Sequence, residues 1–587
     1  MNRILILFVG FLLTLASCKK FTEPEPQNNG SFENIYTEPI LAQGFLMNGY
    51  TRLPSNFWNF TDVATDDAVT NDVGSGFRRI ATGQWASNFN PLDQWQNTRA
   101  GIQYINLFLA EVDKVTFDTK DPILNRMFAD RMKGEAYGVR AYFMFNLLQA
   151  HAGWVDGQLY GFPILTTPET PSSNFNVPRA TFEECMKQIY ADLDKAEELL
   201  PLDYDDISSP TQIPSKYAGV NTETYNRVFG KLFKLLMTGR IAKAIRAKAA
   251  LVAASPAFAA GNTTTWANAA THTADVLNRN GGLSGIAANG VTWYDNRAEI
   301  DALGSGANPR EILWRNGVSS NSDLELAHYP PTLNGQGRLN PTQNLVDAFP
   351  ALNGYPITST LSGFNAASQY ANRDPRLARF ILFNGGTAGP SSTVINTTAD
   401  GATLDALNRD ATSTRTGYYM KKLLRQDVSR NPLSINNQKH YKPHIRYTEM
   451  YLSYAEAANE AYGPLGMSPN ATYSAYDVIK AIRQRAGVGL SNNDAYLESI
   501  KGDKELMRTL IRNERRLELC FEGFRFWDLR RWNAPLTEIA KGVSITNNVH
   551  TIIDVEARNY QDFMRFGPIP FDETLKFSAL KQNAGWQ

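Results

Sequence analysis

The sequence is poor in the residues that most catalytic or metal-bound proteins depend on. Cysteine occurs three times, as Cys18, Cys185 and Cys520. Cys185 and Cys520, both far from the N-terminus, can form one disulfide but no framework of them. There are six histidines, and the close pair His440 and His444 has Pro443 between its members. That proline keeps them off a common helical face, so an HExxH-type zinc site is excluded. CxxC, GxSxG, Walker-type and GxGxxG patterns are absent, which removes the usual redox, esterase and nucleotide signatures. Acidic pairs such as Asp66-Asp67 and Asp205-Asp206 fit a glycosidase, but 58 acids make such pairs expected by chance. No charge of either sign is in excess, with 58 basic and 58 acidic side chains. A nucleic-acid or anionic-surface protein normally carries a basic surplus. The sequence therefore gives no reason to expect a catalytic residue, a metal or a cofactor.

What is present begins at the N-terminus. Arg3 is followed by an apolar run from Ile4 to Leu15 and then by Ala16-Ser17-Cys18. The run is too short for a bilayer-spanning helix, which needs about 20 residues, and suits a signal-peptide core. Small residues directly before a cysteine resemble the bacterial lipobox, in which Cys18 becomes the acylated first residue of the mature chain. Each buried CH₂ of an acyl chain contributes about 0.8 kcal/mol, so a multiply acylated cysteine anchors stably. Residues 1–17 are accordingly expected to be a signal peptide. Residues 18–35, polar and proline-containing, read as a tether. No later run is long and apolar enough to span a membrane.

Apolar residues at 43% and aromatics at 11% are ample for a large core. Helical periodicity recurs through much of the chain. Gly134, Gly138 and Ala141 form a small-residue stripe that admits close approach of a neighbouring helix. Thr181 stands three residues before Glu184 in a capping-box spacing, and that helix stops at Pro201. Ala-rich segments ending at Pro256 and at Gly463-Pro464, followed by "SAYDVIKAIRQRAGV", complete a set of paired helices. They resemble tetratricopeptide hairpins without a regular period. From about 260 to 440 the texture turns to Gly, Asn, Ser and Thr, with only brief strand-like patches such as Glu311 to Trp314. The fold class expected is mainly α. Helical scaffold occupies about 36–260 and 440–587, and a loop-rich region is inserted between them in a single domain, 36–587.

The densest stretch is "RNERRLELCFEGFRFWDLRRW", Arg512 to Trp532, with six arginines, four acids and five aromatics. On a helix, Arg515–Glu518, Glu522–Arg525, Arg525–Asp528 and Asp528–Arg531 stand at i, i+3 and are able to pair. Gly523 allows a bend. A nucleic-acid surface needs unpaired arginines and exposed rings. Here the acids balance most of the arginines, so the stretch reads as packed scaffold.

This stretch closely resembles the C-terminal signature of the SusD/RagB family of nutrient-binding outer-membrane lipoproteins. Cys18, "WQNTRAGIQYINLFL", "GEAYGVRAYFMFNLL", "NPTQNLVDAF", "NRDPRL", "IRQRAGV" and "FGPIPFDET" extend the resemblance along the chain in order. It implies a tetratricopeptide-like scaffold under irregular loops, tethered by lipid to the outer membrane and facing the cell exterior. It implies a SusC-like TonB-dependent transporter as partner. The ligand implied is a glycan, with peptide as the alternative, and no catalysis. A lipid-anchored glycosidase is the remaining reading. The sequence departs from the commonest surface-export signal, since Lys19-Lys20 follow Cys18 and acids arrive only at Glu23 and Glu25.

A sugar site needs flat apolar ring faces together with polar groups for hydroxyls. Two loop regions offer both. One holds Trp58, Asp66, Asp67, Asn71, Arg78 and Trp85; the other holds Trp293, Tyr294 and Trp314. Trp95 and Trp314 fall in periodic or strand-like segments and are expected in the core. Asp67, Arg78, Trp85, Trp293 and Tyr294 are the ligand-binding set expected, on positional resemblance to the family's ligand loops.

Overall fold

A computed structural model describes residues 32–304 and 308–586. Cys18 and the expected signal peptide lie outside the described residues. Helix accounts for 46% and strand for 10%, so the fold is mainly α as expected.

Helices α1 (Pro39–Thr51), α2 (Trp95–Glu111), α3 (Pro122–His151), α4 (Phe182–Leu199), α5 (Gly239–Ala254) and α6 (Trp266–Asn278) follow one another in space as in sequence. Each packs on the next. The order continues with α7 (Tyr447–Tyr462), which packs on α6, and with α8 (Ala475–Ala486) and α9 (Lys504–Glu518), which pack on α7. A short helix α10 (Arg525–Arg531) ends the series.

Local chemistry explains the elements. Pro122 opens α3, and the Asp121 carboxylate accepts the Ile123 and Leu124 amides as its N-cap. Thr181 and Glu184 form the expected capping box on α4. The small-residue stripe of α3 is closely approached, by residues at the end of α4 and just before α5 rather than by the body of a helix. A Cβ on Gly134 would lie 2.6 Å from Leu200 Cγ, and one on Gly138 would lie 2.5 Å from Met237 Cγ. Alanines 242, 244, 247, 249, 250, 253 and 254 of α5 are all buried, which lets this helix sit at the centre of the array.

Short antiparallel pairs decorate the scaffold. Six of the strands, in chain order, are β1 (Ala68–Thr70), β2 (Ile312–Arg315), β3 (Leu339–Pro341), β4 (Pro443–Arg446), β5 (Ala540–Thr546) and β6 (Val549–Glu556). β1 pairs with β3, Val69 opposite Asn340. β2 pairs with β4, Trp314 opposite Ile445. β5 and β6 form a hairpin around Asn547 and Asn548, both at positive φ.

The loop-rich region begins later than its texture suggests, because α6 occupies Trp266–Asn278. The whole excursion then leaves and re-enters the array between two helices that touch, α6 and α7. β2 and β4 close its neck, and the Tyr447 amide donates to the Glu311 carbonyl at 2.8 Å as α7 starts. This region has a core of its own, with Trp293, Tyr329, Phe349, Phe380 and Tyr418 buried together. Trp95 and Trp314 are each 1% exposed, as expected of core residues. Cys185 and Cys520 are buried free thiols.

Candidate ligand cleft

The Arg512–Trp532 stretch organises the site. Instead of one helix it forms two, α9 and α10, broken where Phe521 and Gly523 adopt positive φ of 64° and 81°. The buried Asp62 carboxylate accepts the Phe521 amide at 2.9 Å and the Gly523 amide at 3.2 Å, fixing the break. Burial, reinforced by Asp67, pushes the Asp62 carboxyl up to about 7.

The break redirects the charges. Of the four i, i+3 pairs, Asp528–Arg531 forms, at 2.8 Å. The other three are replaced by longer connections. Arg515 reaches Asp528 at 2.7 Å, and Arg516 and Arg525 converge on Asp66 at 2.9 and 2.8 Å. Glu518 pairs with Arg376 and Arg485, and Glu522 with Lys422 and Arg446. Burial alone would raise the Asp66 carboxyl, but Arg516 and Arg525 hold it well below the usual carboxylate range. Burial is likewise outweighed at Glu518, which Arg485, Arg376, Arg446 and Lys422 bring down to about 2. The stretch is packed scaffold, as the charge balance indicated.

One of its faces nevertheless lines a cleft of about 180 Å³. Residues 54–60 contribute Phe57, Trp58 and Asn59 to one wall. Tyr142, Phe145, Asn146 and Gln149, one stripe of α3, form another. Lys248 comes from α5, and Lys442 and His444 from the approach to β4 and the strand itself. Phe524, Trp527 and Asp528 complete it. Phe57 is 78% exposed, and Trp58 stacks on Phe60 with centroids 6.1 Å apart and planes 14° from parallel. The side-chain amides of Asn59 and Gln149 have no hydrogen-bond partner among the described residues, so they are available to a ligand. Ring faces beside uncommitted amides are what a sugar unit requires. The volume is below the about 300–1,000 Å³ of drug-sized sites, so it suits one unit of a longer chain. A second cleft of about 320 Å³ lies between residues 347–358 and α9, with an apolar wall of Pro350, Pro356, Ile357 and Leu510. Its Arg483, Arg516 and Arg525 are held in ion pairs, Arg512 stands 4.8 Å from the Trp532 ring centre, and its amide Asn513 donates to the Ala348 carbonyl, which makes it the poorer match for hydroxyls.

The five side chains expected at the ligand do not line this cleft, and they are dispersed rather than gathered at one place. Asp67 is 0% exposed and accepts Arg516 at 2.6 Å. Arg78 pairs with Glu556 at 3.0 Å, beside Arg415. Trp85 packs edge-on to Trp586 at 5.0 Å, and its indole N–H donates to Asn90 Oδ1 at 3.1 Å. Trp293 and Tyr294 pack edge-to-face at 5.7 Å in the core of the inserted region. Segments rich in Gly, Asn and Ser read as exposed loops, but this region folds over its own apolar centre, and its aromatics supply that centre. As described, none of the three aromatics turns an open ring face to solvent.

Comparison with known proteins accounts for the stretch and the fold. The SusD family profile matches residues 302–586. A second profile, described as starch-binding associating with outer membrane, matches residues 21–222. This chain belongs to the SusD/RagB family. A SusD-like protein of Formosa agariphila is 34% identical over 90 residues, which span 15% of this chain and 16% of that relative. Among solved structures, a SusD-like protein from Bacteroides fragilis superposes with a TM-score of 0.71 at 21% identity, covering 94% and 98% of the two chains. A SusD-like carbohydrate binding protein from the same species gives 0.67 at 19%, covering 93% and 100%. A laminarin binding SusD-like protein gives 0.55 at 19%, covering 93% and 99%. At these identities the structures establish the SusD-like fold.

Within this SusD-like chain, sequence reasoning noticed Trp58 but passed over Asn59, Gln149 and Lys442. Phe57-Trp58-Asn59, close behind Pro54, carried a local signal of an exposed aromatic turn. Gln149 and Lys442 had none, since the cleft arises only where α3 and β4 meet the Arg512–Trp532 stretch.

Proposed function

We propose that this protein is a surface lipoprotein, anchored through Cys18 to the outer membrane and facing outward. It captures oligosaccharide or polysaccharide without transforming it, and passes it to a SusC-like TonB-dependent transporter. The observation that carries the reading is the cleft beside Trp58, where ring faces and uncommitted amides stand together in a chain of the SusD/RagB family. The family description of starch binding at the outer membrane supports it, as do the carbohydrate- and laminarin-binding names of two structural neighbours.

Calorimetry against glycan and peptide panels tests it. Glycan is expected to bind and to be recovered intact, and Trp58→Ala is expected to weaken binding at least tenfold, about 1.4 kcal/mol. Binding of peptides alone favours the peptide-carrying alternative, and turnover of the ligand by pure protein overturns both. Cys18→Ala is expected to release the protein from membranes. Membrane association that persists without the transporter overturns the anchor.

A further inference from the structure

The cleft is lined by five cations, Lys248, Lys442, Arg446, Arg515 and Arg531, and three carboxylates, Glu449, Glu522 and Asp528. Four of the cations are committed. Arg446 is held by Glu311 and Glu522, Arg515 by Asp528, and Arg531 by Glu456 and Asp528. Lys248 pairs with Glu449. Lys442 is the exception, because no carboxylate among the described residues lies within ion-pair distance of it. Its ammonium donates to the Ser55 carbonyl at 2.6 Å and stands 5.6 Å from the centre of the Trp58 ring. An ammonium has three N–H donors, so two remain for a ligand lying on Trp58. Of the titratable groups around it, Glu522 favours its charge from beyond ion-pair distance and is itself held by Lys422 and Arg446, Lys248 opposes it, and His444 is kept neutral by burial and by Lys442.

An unpaired ammonium in a partly closed cleft is costly until an anion joins it, and a bond to an anionic oxygen adds a Coulomb attraction between two charges that a bond to a neutral hydroxyl lacks. Resting on the glycan reading above, we propose that this cleft selects acidic glycans. A carboxylate or sulfate ester of one sugar unit docks on Lys442 while the ring of that unit covers Trp58 and its hydroxyls meet Asn59 and Gln149. The basicity of the Lys442 amine is lowered, first by burial and then by Lys248, and Glu522 offsets this only in part, in keeping with the absence of a paired carboxylate.

The test is calorimetry of the detergent-solubilised full chain with oligosaccharides of matched length. The arms are neutral β-glucan, polyuronate, sulfated galactan and an acidic peptide. At least one acidic sugar is expected to bind tenfold or more tighter than the neutral one and to weaken as salt is raised from 50 to 200 mM. Uronate and sulfate arms tell which anion is preferred. Lys442→Gln is expected to abolish the preference, and Lys442→Arg to retain it. Equal affinity for neutral and acidic sugars, or a preference intact in folded Lys442→Gln, overturns the selectivity and leaves glycan binding standing. Binding of the acidic peptide with no sugar bound overturns both. Should Lys442→Gln fail to fold, the salt dependence of the unaltered chain decides, since a preference independent of salt excludes an ionic contact.

Discussion

Trp85 and Trp58 show how little a residue's local sequence says about its use. Both are tryptophans in turn-rich sequence before α2. Trp85 is 5% exposed, walled by Trp586, Tyr560 and Phe526, with the Arg530 guanidinium 5.1 Å from its ring. Trp85→Ala is expected to cost about 3–5 kcal/mol through the cavity it leaves, read as a lowered urea midpoint. Trp58→Ala, at the cleft, is expected to leave that midpoint nearly unchanged. The distinction was not legible in the sequence, because residues 560 and 586 that cover Trp85 are hundreds of positions away. Asp66 and Asp67 are a similar case. Their vicinal carboxylates looked available to a ligand, and Arg516 and Arg525 occupy them instead.

At the scale of elements, the sequence was read well wherever the information is local. Capping at Thr181, glycine spacing in α3 and the alanines of α5 all depend on residues within a few turns of one another. The β5–β6 hairpin escaped notice, since its Asn-Asn turn is a weaker signal than Asn-Gly. The split of the Arg512–Trp532 stretch was foreseen only as a possible bend at Gly523. It follows from packing: Leu510, Ile511 and Leu519 belong to the scaffold core, Leu517 and Phe521 to that of the inserted region, and Phe526 and Leu529 to a third. A single straight helix cannot serve three centres. Gly523→Ala is expected to destabilise by about 1–3 kcal/mol, measured by denaturant titration. Its Cβ would approach the Asn59 carbonyl to 2.8 Å at a φ of 81°, where L residues are strained. Asn59 lies in the cleft wall, so the same substitution is also expected to weaken glycan binding.

At the scale of the whole molecule, the buried ion network joins the inserted region to the scaffold. Glu518, whose side chain is 1% exposed, ties α9 to Arg376 in the inserted region and to Arg485 on α8. Its carboxyl lies near 2 when folded against an ordinary value of 4.5. A depressed acid contributes stability that is complete above the unfolded value and is lost as pH falls through the folded one. Stability is therefore expected to hold down to about pH 4.5 and to decline toward pH 2, followed by circular dichroism. Glu518→Gln is expected to be less stable at pH 7, because Arg376 and Arg485 lose charge compensation, and to lose less on acidification.

The sequence by itself determined the class of the fold, the helical array and the family. Those rest on short-range periodicity, capping and an ordered series of motifs. It also marked most of Arg512–Trp532 as scaffold, since charge balance is visible without coordinates, but neither its actual partners nor the face it turns to the cleft. Only the tertiary structure shows which side chains line a cleft. The cleft is a meeting of α3, α5, β4 and residues 54–60 against that scaffold, and Lys442 stands out only because every other cation there has found a carboxylate. Pairing across hundreds of residues leaves no periodic trace in one sequence, so the cleft became legible only after the chain had folded.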